Sequence, residues 1–400
     1  MIIIHIILWI IFGYLTICVL YNLVFTVGGW LGKSGQYSFC TRKNHFAILI
    51  PTYKEDHIIL HTINVALEQD YPKDKYDIVV IADQLRPDTL ERLELMPIKV
   101  IKVDFEKSTK AKSLKFALQR LPNNLYDSIL ILDSDNLLGK GCLEKANHAL
   151  NSGFKMVQLH RTAKNRNTAT AILDAISEEI GNIVHRKGHR ALGLSATLIG
   201  SGMAFNYILF KSVMLELNIE DNPAEDREIN AEFLKRGYVC EYVQEAFVYD
   251  EKVQSGRILE KQRTRWISAQ LQYAKHFWMK DFKHIFSYNI YYFDYAFQTL
   301  LLPRVMLLML SFIMALLGFL LYLVTGFGIY PGSILWGSLF MIFILSLGVN
   351  AYPYLSLKEA FTALRSLPAT FWSFFKASLK SRSSQQEFIH TPKEYIKRSS

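Results

Sequence analysis

Hydrophobic positions follow two different patterns along the chain. Met1 to Val27 is almost wholly apolar, with no charged side chain apart from His5 when protonated. It is long enough to cross a hydrocarbon core roughly 30 Å thick, so residues 1–30 are predicted to form a transmembrane helix. A cleaved signal peptide is the competing reading, but a positive n-region is missing and no small-residue cleavage site follows. From Phe46 the pattern changes to short apolar runs separated by helical stretches, as in βαβ units. Phe46–Ile50 reads as a strand ended by Pro51-Thr52-Tyr53-Lys54-Glu55, and Ile58–Gln69 has helical periodicity. Ile78–Ala82 is a second strand ending at Asp83, and Lys99–Val103 is a third. A helix over Ser113–Leu121 follows Lys110 and Lys112.

The run Ile129–Asn136, Ile-Leu-Ile-Leu-Asp-Ser-Asp-Asn, then stops at two carboxylates. Continuous apolar runs fit strands covered on both faces, and ligands of such doubly wound sheets collect at the strands' carboxyl ends. Strands that finish at polar or acidic residues therefore predict a pocket at one sheet edge. Residues 45–275 are assigned to this α/β domain. Beyond it, Phe282–Phe297 is aromatic-rich with scattered lysines and reads as an interfacial helix within 280–300. Val305–Val324 and Ile334–Val349 read as a transmembrane hairpin within 303–352, joined by a loop with Gly326, Gly328, Pro331 and Gly332. In the last segment, 353–400, Phe361–Leu379 reads as a second interfacial helix, interrupted at Pro368.

Composition narrows the class. Half of the 400 residues are hydrophobic while a fifth are charged, which suggests a membrane-attached protein with a water-soluble part. The formal charge of +9 fits anionic lipid or a phosphorylated substrate. Without a basic motif interleaved with aromatics, nucleic acid is not expected as a partner. Cys18, Cys40, Cys142 and Cys240 lie far apart, with no spacing for a zinc site or a disulfide framework, and a reducing setting fits. Lys33, Arg42 and Lys43 after the first apolar segment, with Arg304 and Lys358 flanking the hairpin, predict that the domain and tail share the cytoplasmic side.

The candidate chemistry begins with Asp133 and Asp135, two like charges that a hard divalent cation gripping a diphosphate would neutralise. On the local pattern alone, Asp226 reads as a carboxylate capping a helix over Arg227–Arg236. Gln262, Arg265 and Trp266 fall at i, i+3 and i+4, on one helix face. There an Arg fork suits phosphate oxygens and an indole suits a sugar ring. Arg263, Lys261 and Asp250 read as solvated charge, and Lys112 as an exposed helix-start lysine. Gly200-Ser201-Gly202 would let backbone approach a ligand, or is a plain tight turn.

The ordered set Pro51-Thr52-Tyr53-Lys54-Glu55, Ala82-Asp83, Asp133-Ser134-Asp135, Gly200-Ser201-Gly202, Glu225-Asp226 and Gln262-Arg263-Thr264-Arg265-Trp266 resembles the family 2 glycosyltransferases of GT-A fold. It is most similar to the membrane-integrated branch that includes cellulose, hyaluronan and poly-N-acetylglucosamine synthases, and the likeness covers about Phe46 to Ala274. Ala224 departs from it, since relatives often carry Thr or Ser there. The tail Phe388-Ile389-His390-Thr391-Pro392-Lys393 resembles the Phe-x-Val-Thr-x-Lys gating loop of cellulose synthases, with His390 where Val is usual.

The resemblance implies a Rossmann-like GT-A domain inserted between transmembrane helices of the cell membrane. It implies an inverting hexosyltransferase that uses a nucleoside-diphosphate sugar, uridine-linked, with Mg²⁺ or Mn²⁺. Asp226 would be the general base, and Asp135 and Asp133 would hold the metal. Thr52, Tyr53, Glu55, Asp83, Asp133, Asp135, Gln262, Arg265 and Thr391 would bind the donor, while Trp266, Gly202 and Glu225 would bind the acceptor. The acceptor is a growing polysaccharide or, alternatively, a lipid or lipid-linked molecule. Three spans are too few to wall a polymer channel, so a long product implies a homo-oligomer or a partner subunit. An inactive scaffold is the remaining alternative, against which the intact acids Asp133, Asp135 and Asp226 argue.

Overall fold

The computed structural model describes residues 2–380 apart from 34, 36, 223 and 288. Eight strands form one mixed sheet: β1 (Phe46–Tyr53), β2 (Tyr76–Asp83), β3 (Lys99–Val103), β4 (Ser128–Ile131), β5 (Leu137–Leu138), β6 (Met156–Ala163), β7 (Met203–Asn206) and β8 (Cys240–Asp250). Their order is β3-β2-β1-β4-β7-β6-β8-β5. The strands β3, β2, β1 and β4 run parallel, and β7 pairs antiparallel with both β4 and β6.

Side chains alternate between the two faces of a strand, and both faces here are covered. Phe46, Ile48 and Ile50 join Ile78, Val80 and Leu130 against the helices Ile59–Leu67 and Cys142–Asn151. Ala47, Leu49, Val79, Ile81, Ile129 and Ile131 point the other way, against Lys110–Arg120, Tyr207–Glu216 and Glu225–Lys235. This double burial explains why the strand sequences read as continuous apolar runs. The registers Tyr53↔Asp83 and Leu49↔Ile131 bring the ends of β1, β2 and β4 to one edge.

Three helices are long and apolar enough to cross a membrane: Ile2–Leu31, Arg304–Thr325 and Ser333–Tyr354. They pack through Leu15, Val19, Leu307, Trp336 and Phe343. Asn350 Nδ2 donates to Thr26 Oγ1 at 2.8 Å, and Trp30 Nε1 donates to Asn350 Oδ1 at 2.9 Å. The domain is seated on the first of these helices without room for a side chain between them. A Cβ on Gly188 would lie 2.1 Å from the Phe25 carbonyl oxygen, so only glycine allows the approach.

Two expected elements differ. Phe282–Phe297 is not one interfacial helix but two short ones, Phe282–Ile285 and Ile290–Gln298. Ile285, Tyr292, Tyr295 and Ala296 are buried against Ala231, Leu234, Tyr273 and Phe277, while Phe282 and Phe286 remain exposed. Pro368 does not interrupt the last helix, which runs Leu357–Lys380. Its Ala363 is buried among Phe25, Ile172, Ile176 and Ile180, and packing overrides the local preference of proline.

Candidate active site

A cavity of about 650 Å³ lies at the carboxyl edge of β1, β2 and β4. Its acidic loop begins one residue after β4: Leu132 still donates its N–H to Leu49 O at 3.0 Å, and the chain then turns, with Asn136 N donating to Asp133 O at 3.0 Å. Ser201 fixes this loop. Its Oγ accepts from Asp133 N at 2.9 Å and bonds Asn136 Oδ1 at 2.5 Å. Asn136 Nδ2 in turn donates to Asp250 Oδ1 at 3.0 Å and Asp135 Oδ1 at 3.2 Å. Asp133 and Asp135 both line the cavity.

The turns after β1 and β2 wall the same space. Lys54 and Gln84 hold left-handed backbone at φ 56° and 52°, a conformation that costs a non-glycine residue about 1–2 kcal/mol and clusters at functional edges. Thr52 is buried with its hydroxyl donating to Ile50 O at 3.1 Å, and Tyr53 and Glu55 also line the cavity. Asp83 is buried beside them. Burial raises its carboxyl above the usual carboxylate range.

Across the cavity, Glu225 and Asp226 open the helix Glu225–Lys235, where the dipole favours acids. Asp226 Oδ1 accepts from Arg227 N at 2.9 Å, and its Oδ2 would be 3.6 Å from a Cβ on Gly200. Burial, with Asp226 adding to it against Lys110, pushes the Glu225 carboxyl up to about 7. Gln262, Arg265 and Trp266, all half-buried on the helix Gly256–Lys275, line the same cavity.

Several assignments change. Arg263 is not solvated: it pairs with Asp174, and its guanidinium lies 4.2 Å from the Trp266 ring centre. Asp250 is likewise engaged, by Lys252 at 2.7 Å and Arg161 at 3.8 Å, because β8 ends inside the cavity rather than at the surface. Gly202 lies within the sheet, donating to Ile131 O at 2.9 Å and accepting from Leu159 N at 2.8 Å, so Gly200 and not Gly202 faces the cavity. Thr391, with the rest of Phe388–Lys393, lies outside the described residues.

The residue that sequence reasoning missed is Lys110. Its ammonium contacts Asp133 and donates to Gly200 O, and it stands 3.9 Å from Glu225. Lys112 points elsewhere, to Asp221 at 2.9 Å. The available signal was Thr109, an N-cap whose hydroxyl accepts from Lys112 N at 3.2 Å and starts the helix at Lys110.

Asp133 and Asp135 offer hard oxygen donors of the kind Mg²⁺ and Mn²⁺ take, and no cluster of three or more metal-binding side chains occurs among the described residues. That set fits a cation which uses one or two carboxylates and completes its shell with substrate phosphates.

With this geometry in view, the likeness to known proteins is informative. A family model described as "Glycosyltransferase like family 2" matches residues 43–269, more than half of the chain. The chain belongs to that family. "Probable glycosyltransferase YdaM" of Bacillus subtilis (strain 168) is 23% identical over 276 residues, covering 62% of this chain and 62% of that protein. "Poly(ribitol-phosphate) beta-N-acetylglucosaminyltransferase TarS" of Staphylococcus aureus is 27% identical over 105 residues, 25% of this chain and 18% of TarS. The chain thus matches less than two thirds of either relative's length. Among solved structures, mannosyltransferase PcManGT from Pyrobaculum calidifontis, in complex with GDP-Man and Mn²⁺, superposes with a TM-score of 0.53. It is 16% identical, with 93% of this chain and 100% of that one covered, and the likeness identifies the fold as GT-A.

Proposed function

We propose that the protein is an inverting glycosyltransferase of the cell membrane that takes a nucleoside-diphosphate sugar, uridine-linked, and acts at the cytoplasmic face. The observation that carries this reading is the convergence of the acidic loop, the Glu225–Asp226 helix start and the Gln262–Trp266 face on one cavity. Asp83, Thr52, Tyr53 and Glu55 would hold the nucleoside end, and Gln262 and Arg265 the diphosphate. Asp135, with Asp133, would hold Mg²⁺ or Mn²⁺, which supplies positive charge to the leaving diphosphate. Asp226 would take the proton of the acceptor hydroxyl as it attacks the anomeric carbon from the side opposite the leaving group, giving inversion. Trp266 offers an apolar face to the acceptor sugar, and Glu225 lies next to the base.

Membrane attachment is supported by the three apolar helices and by a stripe of exposed Leu357, Phe361, Leu364, Trp372 and Phe375 along the last helix, a pattern suited to the lipid interface. The acceptor is a polysaccharide or a lipid-linked molecule. The second is favoured by one observation: Asn22 and Leu301–Val305, on or beside the apolar helices, line the same cavity. A long polymer would require a second copy or a partner to complete its path. Incubating purified membranes with a panel of labelled nucleotide sugars, with and without chelator, tests the proposal. No transfer and no donor hydrolysis across the panel would overturn it.

A further inference from the structure

Away from the acidic loop the cavity continues towards the apolar helices, and its lining changes from carboxylates to guanidiniums. Pairing the charges locates an excess. Arg161 is met by Glu178 at 2.6 Å, Lys252 by Asp250 at 2.7 Å and by Glu178, and Arg263 by Asp174. Arg186 and Arg304 form no ion pair among the described residues. Arg186, 5% exposed, donates to Thr197 O at 3.2 Å and Asn182 Oδ1 at 3.1 Å, both neutral. Arg304 Nη2 donates to Ser177 O at 2.7 Å, while its Nη1 is buried with no hydrogen-bond partner.

The two guanidiniums are neighbours. A Cβ on Gly181 would lie 3.4 Å from Arg304 Nη2 and 3.5 Å from Arg186 Nη1, so both converge on a glycine that leaves space in front of them. Burial lowers Arg186 to about 10, which still leaves it charged at neutral pH. Arg186 is buried and Arg304 partly buried. Glu178 acts on Arg186 only from beyond ion-pair distance, and an anion between the two guanidiniums relieves the cost of holding their charge there. Planar guanidiniums match phosphate oxygens with paired hydrogen bonds. Arg304 is also the first residue of the apolar helix Arg304–Thr325, at the level where head groups lie if that helix spans the bilayer. An arginine that merely reached for lipid at a helix end would turn outward, whereas this one is turned into the cavity.

We infer that Arg186 and Arg304 form an acceptor subsite for a phosphate group, so that the molecule receiving the sugar is a phosphate ester. This rests on the glycosyltransferase reading above and narrows its acceptor. The phosphate can belong to a lipid that enters from the bilayer or to a soluble phosphate ester.

The test uses the full chain in phosphatidylcholine vesicles. Binding of octyl phosphate, measured with saturating UDP present, should weaken about tenfold or more in Arg186→Gln and in Arg304→Gln, the scale of a lost charge-assisted hydrogen bond. Arg186→Lys, which keeps the charge but loses the paired hydrogen bonds, should bind between the parent and Arg186→Gln, which separates lost charge from lost fold. Displacement of octyl phosphate by UDP, or equal binding by the parent and both glutamine variants, overturns the subsite. In transfer assays a polyprenyl phosphate and octyl phosphate are compared with the matching alcohols. Preference for the polyprenyl phosphate alone assigns the lipid source, and equal use of both phosphates assigns a soluble one. Equal use of phosphates and alcohols overturns the inference but leaves the enzyme reading intact. Absence of any donor turnover overturns the enzyme reading, and the binding measurement then decides the subsite alone.

Discussion

Lys110 Nζ stands 3.9 Å from Glu225 Oε1, so the first residues of two helices meet across the cavity. Burial works against the Lys110 ammonium, but Asp133, Glu225 and Asp226 together raise it above its usual value. Glu225 shifts in the direction that burial dictates, up to about 7, although Lys110 pulls it down. The lysine is thus held charged by a group of acids that cannot all be satisfied by it.

A pH dependence follows from the sign of the Glu225 shift. Its carboxyl binds a proton more tightly folded than unfolded, so its stabilising contribution is full below the ordinary value of 4.5 and is lost as pH rises through about 7. Glu225→Gln should flatten the pH dependence of Tm across that window and raise stability above it, by roughly 3 kcal/mol at most. Thermal unfolding of both proteins over the window checks this. Parallel curves would assign the titration to another group.

Lys110→Met removes the ammonium shared by Asp133 and Glu225. Breaking a buried ion pair from one side typically costs on the order of 3 kcal/mol. Added Mn²⁺ should recover part of that loss in the variant and less in the parent, because a bound cation would replace the missing charge. Thermal shifts with and without the metal measure it, and equal shifts would place the cation away from Asp133.

How far this arrangement was legible depends on how local each signal is. The strands were legible because burial on both faces writes continuous apolar runs such as Ile129–Leu132, and the acids were legible because each lies at the end of such a run. Asp226 and the Gln262–Trp266 face sit on helices whose periods are local. Lys110 was missed because its partners, Asp133, Gly200 and Glu225, come from three distant segments. Arg263 was misread for the same reason: its partner Asp174 lies 89 residues away. The aromatic run at Phe282–Phe297 carries one composition for two fates: Tyr292 and Tyr295 pack in the domain with Ala231 and Leu234, while Phe282 and Phe286 stay exposed, and only the distant neighbours tell them apart.

The catalytic assignment makes a two-part prediction. Asp226→Asn should lower turnover by about 10²-fold or more, the scale of a lost general base, with a much smaller change in donor KM. Asp135→Ala, or chelator on the parent, should remove transfer and donor hydrolysis together. Steady-state kinetics separate these cases. Parallel loss of donor binding and turnover in Asp226→Asn would mark it as structural, and activity unaffected by chelator would remove the metal from the reaction.

If the three apolar helices Ile2–Leu31, Arg304–Thr325 and Ser333–Tyr354 span the bilayer, the loop between the last two lies on the side opposite the domain. Cys142 and Cys240 are fully buried and cannot report on this, so new cysteines are needed at exposed positions. Phe327→Cys, at 80% exposure in that loop, should react with an impermeant thiol reagent from outside intact cells. Leu95→Cys, at 87% exposure on the domain, should react only after permeabilisation. The reverse pattern would invert the topology.

The indole expected to meet the acceptor is held from behind by a charge. Arg263 stacks on Trp266 at 4.2 Å and is paired with Asp174 on the helix Ala169–Asn182, so one guanidinium ties the Trp266 face to a neighbouring helix. Both side chains of the pair are nearly buried, at 12% and 10% exposure, so removing either alone takes from the other its ion-pair partner. Arg263→Met and Asp174→Leu should therefore each destabilise by about 3 kcal/mol, while the double variant should lose clearly less than the two together. Acceptor KM should rise in both variants that lack Arg263, because Trp266 loses its support, and should stay closer to the parent in Asp174→Leu, where the stack survives. Denaturation midpoints and acceptor KM for the four proteins measure the two effects separately. Additive destabilisation would mean that the pair contributes no coupling, and an unchanged acceptor KM in Arg263→Met would mean that Trp266 is positioned by its own packing.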